Sequence, residues 1–113
     1  MPYCEIIRYI SDKPDLDVAS VNAQVDGDVI QVSWASPSGH ITAMTLIQCH
    51  DADEEHESNC SRHDVKNVNT LVVNSTDGTV LTLAVWQDGD KVLSCLIPLQ
   101  SDSSETKQNG IAT

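Results

Sequence analysis

The chain has no phenylalanine and only two tryptophans and two tyrosines among its 113 residues. A core must therefore be aliphatic, built on Val, Leu and Ile. Cations are scarce as well: six Lys plus Arg stand against 17 Asp plus Glu, a net charge of -11. Nucleic acid is excluded as a partner on that ground, because phosphate contacts need clustered cations. No stretch approaches the run of about 18 apolar residues that a membrane-spanning helix requires. Glycine-rich phosphate loops and serine-elbow motifs are missing, as are the paired Cys-x-x-Cys or His-x-x-x-His spacings of zinc sites and the tripeptide Arg-Gly-Asp. No cofactor is expected.

What is present is a rhythm of period two, broken by Gly and Asp turns and without a sustained helical period. Leu16, Val18 and Val21 place an edge strand in residues 14–23, closed by Asp26-Gly27-Asp28. Over 29–34, Ile30, Val32 and Trp34 fall on one face and Gln31 and Ser33 on the other. After Pro37-Ser38-Gly39 the next strand spans 41–49, and an acidic, histidine-bearing stretch from Asp51 to Glu57 reads as a loop. Strand signals resume at Thr70 to Val73, turn at Asp77-Gly78 and run from Val80 to Trp86. Asp88-Gly89 then forms a hairpin turn into a last strand at about 91–99. About seven short strands at these spacings predict an all-β, two-sheet antiparallel sandwich. The domain occupies 13–100, between an N-terminal arm (1–12) and a polar, Ser-rich tail (101–113) expected to be disordered.

Four cysteines in a small domain, Cys4, Cys49, Cys60 and Cys95, suggest disulfides and an oxidising compartment. Two Asn-x-Ser/Thr signals, at Asn59 and Asn74, agree with that setting. The opening Met1-Pro2-Tyr3 lacks a signal-peptide pattern and reads as a mature or excised domain, secreted or part of an ectodomain. A cytosolic protein with free thiols is the alternative.

The order of motifs resembles the fibronectin type III family. Pro14, Leu16 and Val18 look like its opening Pro-x-Leu-x-Val, and Val32-Ser33-Trp34 is similar to its second-strand ending, where the Trp anchors the core. Pro37, Gly39 and Ile41 resemble the entry to its third strand, and Asp77-Gly78-Thr79-Val80-Leu81 resembles its Pro-Gly-Thr-x-Tyr corner. The match covers about 13–99. Departures fall at Met44, where the family has a third-strand Tyr, and at Asp77 and Leu81, where it has the corner Pro and Tyr. An immunoglobulin-like sandwich is the structural alternative.

The resemblance implies a fold, a setting and a set of faces. Function would be protein binding in a cell-surface receptor, adhesion molecule or secreted glycoprotein, with no catalysis. Met44, Leu46, Gln48, Leu81, Leu83 and Val85 would point inward, with Trp34 and Leu81 as core anchors. Ile47, Ala84 and Trp86 would form an outer face with an exposed Trp, a candidate partner surface. Equally, the segment Ile6-Ile7-Arg8-Tyr9-Ile10 could fold over that face. Cys49 and Cys60, at the ends of neighbouring strands, are expected to pair. Cys4 and Cys95 would then fasten the arm to the last strand.

A competing function is a metal-dependent enzyme or binder using the acidic, His-bearing loop 51–63, near His40, His50, His56 and His63. The adjacent pair Cys49-His50 cannot serve as nucleophile and base, since successive strand residues face opposite sides. Like charges in the loop repel one another and attract water, which makes a solvated loop the plainer reading.

Asn74 sits just before a turn, where a sugar can project into water, and Asn59 adjoins a paired cysteine that competes for the acceptor. Protein from its own host is expected to lose mass on glycosidase treatment, with the modified peptide containing Asn74. An unchanged mass would contradict both sites.

Overall fold

Alternating aliphatic residues become strands here because each strand lies between a core and water, and a period of two sorts its side chains onto those sides. The computed structural model describes residues 2–7, 14–50, 60–76 and 78–101. These contain nine strands: β1 (Tyr3–Ile6), β2 (Asn22–Asp26), β3 (Val29–Ser33), β4 (Ala43–His50), β5 (Cys60–Asp64), β6 (Thr70–Asn74), β7 (Thr79–Gln87), β8 (Asp90–Ile97) and β9 (Leu99–Ser101). A larger antiparallel sheet has the order β1-β8-β7-β4-β5. A smaller one has the order β6-β3-β2-β9, with β9 parallel to β2. The two sheets pack face to face as a β-sandwich.

Turn chemistry matches the sequence. Asp88 and Gly89 both take positive φ, 51° and 89°, the pair of left-handed residues that a two-residue type I′ hairpin demands. Gln87 and Asp90 consequently pair across the turn.

The core is aliphatic. Ile30, Val32, Leu46, Leu81, Leu83 and Val85 are all 0% exposed. Each such side chain contributes about 1.5–3 kcal/mol when removed from water. Met44 joins them, and Trp34 closes the end of the core one residue past β3. Gln48 is the polar exception, 5% exposed. Its Nε2 donates to the Asn74 carbonyl at 2.6 Å, so a buried amide is satisfied by a hydrogen bond from the larger sheet to the smaller. Every side chain expected to point inward from β4 and β7 is buried.

Four expectations are corrected. Residues 14–23 do not form one edge strand: Asp15 makes a single bridge to Ser38, and Val18–Ser20 wind into a 3-10 turn. The cause is local. The Asp17 carboxylate accepts from the Ala19 amide, and Ser20 Oγ donates to the Asp17 carbonyl, bonds that compete with a sheet ladder. The third strand of the sequence reading begins at Ala43 rather than residue 41. Seven strands become nine, because the N-terminal arm supplies β1 and the chain after Pro98 crosses to the smaller sheet as β9. The arm (1–12) is thus no separate appendage over Tyr3–Ile6. The tail boundary also moves, with the Ser101 backbone inside β9, while 102–113 lie outside the described residues.

Both disulfides are formed, Cys4 to Cys95 and Cys49 to Cys60, and each joins directly opposed residues of neighbouring strands. They differ in the loop they close. Sequence separations of 91 and 11 correspond, in the chain-entropy account, to about 4–5 and about 3 kcal/mol. Cys4→Ser is therefore expected to lower unfolding free energy by several kcal/mol and to release β1 from β8. Denaturant titration and amide exchange at Glu5 check this; unchanged values for both would contradict it.

Candidate binding faces

Because β-strand pairs set side chains directly opposite one another, the register fixes which residues share each outer face. Across the larger sheet one row reads Tyr3, Leu96, Thr82, Ile47, Arg62, and the next reads Glu5, Ser94, Ala84, Thr45, Asp64. Tyr3 is 66% exposed and Leu96 50%. They form an apolar cross-strand pair that faces water. Ile47 and Thr82 continue the row half-buried, and the Cys49–Cys60 disulfide lies one row beyond.

The expected anchor residues of this face require correction. Ala84 is fully buried, its methyl group on the central strand β7 between Ser94 and Thr45 of the neighbouring strands. It offers no contact surface. Trp86 is half-buried instead of exposed, and the Lys91 ammonium lies over its ring, 5.8 Å from the centroid. That cation–π contact occupies the indole face. The described part of the arm does not cover the sheet: β1 adds to the edge, and Ile6 and Ile7 stay 38% and 47% exposed. Arg8, Tyr9 and Ile10 lie outside the described residues. The prominent residues, Tyr3 and Leu96, were missed by sequence reasoning although a signal existed. Once Cys4 is joined to Cys95, antiparallel register sets Tyr3 opposite Leu96.

The outer face of the smaller sheet has another chemistry. Val72, Gln31, Gln24 and Gln100 form a row across all four strands, with Gln24 Nε2 donating to Gln100 Oε1 at 3.3 Å. Asn74, Val29 and Asp26 lie alongside. Asn74 is exposed on this face, opposite to the one that carries Tyr3 and Leu96. The hydroxyl of its glycosylation signal, Thr76 Oγ1, is 2.7 Å from His50 Nδ1 and 3.1 Å from Thr79 Oγ1. Asn59 and Asp77 lie outside the described residues.

Between the open edges of the two sheets, Gln48, His50, Ser61, His63 and Thr76 line a polar cleft. His63 pairs with Leu46, four positions before His50 on β4, so the two imidazoles start about 13 Å apart along the strands. That separation is too long for both to converge on one ion at ordinary ligand distances while His50 Nδ1 faces Thr76. Residues 51–59 of the acidic loop, His56 included, lie outside the described residues. His40 is elsewhere, with Nε2 3.4 Å from the Asp88 carboxylate beside the β7–β8 turn.

Comparison with protein-family models, curated proteins and solved structures finds no match. The geometry therefore carries the functional argument alone.

The burial contrast within the larger sheet's face is testable. Leu96→Asp exchanges a half-exposed side chain and is expected to change stability by less than about 1 kcal/mol. Ala84→Asp buries an unpaired carboxylate and is expected to cost several kcal/mol or abolish folding. Comparable melting temperatures for the two variants would contradict this assignment.

Proposed function

We propose that this domain is an extracellular recognition module of fibronectin type III design. It binds a protein partner through the outer face of its larger sheet and catalyses no reaction. The strand following the third sandwich strand supports that design: β5 pairs with β4. In a constant-type immunoglobulin sandwich the fourth strand instead joins the sheet of the first and second. Buried Trp34 and Leu81 occupy the anchor positions that the resemblance implies. Two disulfides favour an oxidising compartment, secreted or on an ectodomain. No helix among the described residues is long and apolar enough to cross a membrane.

The observation that carries the binding face is the Tyr3–Leu96 pair. Two large apolar residues stand side by side in water at 66% and 50% exposure, on a face continued by Ile47. Aromatic and aliphatic anchors of this kind supply much of the energy of protein interfaces when a partner desolvates them. The opposite face carries the Asn74 signal, so a glycan there would leave the Tyr3 face accessible.

Retention of extracellular proteins on the immobilised domain tests the assignment. A partner held by the wild type should be lost on Leu96→Asp and on Tyr3→Ala, and kept on Val72→Asp, which alters the other face. Equal retention by all three variants would overturn the choice of face.

A further inference from the structure

The edge strands of an open sheet carry backbone N–H and C=O groups ready to pair with another chain, and most proteins blunt them with charge, proline or brevity. Two of the four edges are blunted in these ways. β5 carries Arg62, His63 and Asp64, and β9 is three residues long and follows Pro98, whereas β6 carries no charge and ends on a glycosylation signal at Asn74. β1 is short too and follows Pro2, with Glu5 as its one charge, but it borders an apolar cleft. Its free groups follow from register. Cys4 and Cys95 stand opposite with Cα atoms 3.9 Å apart, the close spacing of a pair that exchanges no backbone hydrogen bonds. Ile7 N donates to Val92 O at 2.9 Å. Tyr3, Glu5 and Ile7 therefore turn their backbone groups toward β8, whereas Cys4 and Ile6 turn theirs away from the sheet. Among the described residues nothing pairs with them.

A cleft of ≈ 210 Å³ opens on the inner side of this edge, lined by Cys4, Ile6, Leu16, Val18, Val92 and Leu93. It is apolar within, and Asp15 stands at its margin while Glu5 projects from the strand's other side.

We propose that the outer edge of β1 is a strand-addition site for an extended segment of a partner protein with the pattern aliphatic–basic–aliphatic. Four backbone hydrogen bonds, to the N–H and C=O of Cys4 and Ile6, would hold the segment, as in other cases of strand addition. Residues directly opposed across antiparallel strands share a side, so the two aliphatic side chains opposite Cys4 and Ile6 enter the cleft. The residue between them lies opposite Glu5, where a Lys or Arg is matched in charge. A second copy of the chain fits poorly. Exchanging hydrogen bonds between Cys4 of one copy and Ile6 of the other sets Glu5 against Glu5, and each copy carries a net charge of -11. The inference rests on the reading of the domain as a binding module.

The test uses the intact, disulfide-bonded protein and a synthetic peptide of alternating Val and Lys, with a Val and Glu peptide for comparison. The Lys peptide should bind and slow amide exchange at Cys4 and Ile6. Ile6→Pro removes an N–H that faces away from β8, so it should keep β1 paired, shown by Glu5 exchange, yet weaken the peptide on the order of tenfold or more, comparable with loss of a principal contact. Glu5→Lys should shift preference toward the Glu peptide. Leu96→Asp, on the sheet face, should leave peptide binding unchanged. The proposal is overturned if the Lys peptide does not bind, if it binds without protecting those two amides, or if Ile6→Pro or Glu5→Lys leaves binding and preference unaltered. It is likewise overturned if sedimentation shows self-association that Ile6→Pro abolishes, which assigns the edge to a second copy. If partner retention is lost on Leu96→Asp but kept on Ile6→Pro, the face reading stands and the edge reading falls.

Discussion

The covalent bond between Cys4 and Cys95 sets more of this surface than any other contact. A strand of four residues has few hydrogen bonds with which to resist fraying, and an edge position gives it packing on one side only. Joining it to β8 across directly opposed positions removes the freedom to slip by one residue, a shift that would reverse every side chain of β1 between core and water. With register fixed, Tyr3 must stand beside Leu96, and Cys4 and Ile6 must present their backbone groups outward. The apolar face and the unprotected edge are two consequences of one constraint.

That constraint acts at the border of the core, not at its centre. The aliphatic residues of β3, β4 and β7 form the centre of the core, and β1 contributes Cys4 only at its border. Stability and surface are therefore partly separable. Ile30, Leu46 and Leu83 are fully buried, so a polar substitution there would strand an unpaired group in the core, whereas Tyr3, Leu96 and Ile6 can change with little effect on it. Binding sites carried on rigid elements require this separation, because recognition residues must vary while their frame stays fixed.

Much of the frame is legible in the residues themselves. Ile30, Val32 and Trp34 alternate with Gln31 and Ser33, and period two leaves little choice about which set is buried. The Asp88-Gly89 turn is equally readable, because few dipeptides accept two left-handed residues. Legibility fails where local and tertiary terms compete. Leu16, Val18 and Val21 look like one strand, yet Asp17 and Ser20 hydrogen-bond their own backbone and wind the segment before pairing begins at Asn22. It fails again where exposure depends on neighbours in space. Alternation places Ala84 and Trp86 on an outer face correctly, but it cannot report that the first is screened on the central strand or that Lys91 lies over the second. The short strands β1 and β9 carry too few residues for a period to register, and tertiary pairing alone reveals them.

The second disulfide shows how charge is kept from undoing the other edge. Between Cys49 and Cys60 the sequence runs through Asp51, Asp53, Glu54, Glu55 and Glu57. Five carboxylates in so short a span repel one another, and the repulsion favours separating the strand ends that they connect. Among the described residues β5 pairs with β4 alone, so that ladder opposes the tendency. The bond between Cys49 and Cys60 opposes it covalently and keeps Arg62 and Asp64 in register on the outer edge. A sheet edge bearing both signs of charge is a poor template for another chain. The acidic connection is thereby reconciled with a charged edge on one side of the larger sheet, while β1 on the other side carries Glu5 as its one charge.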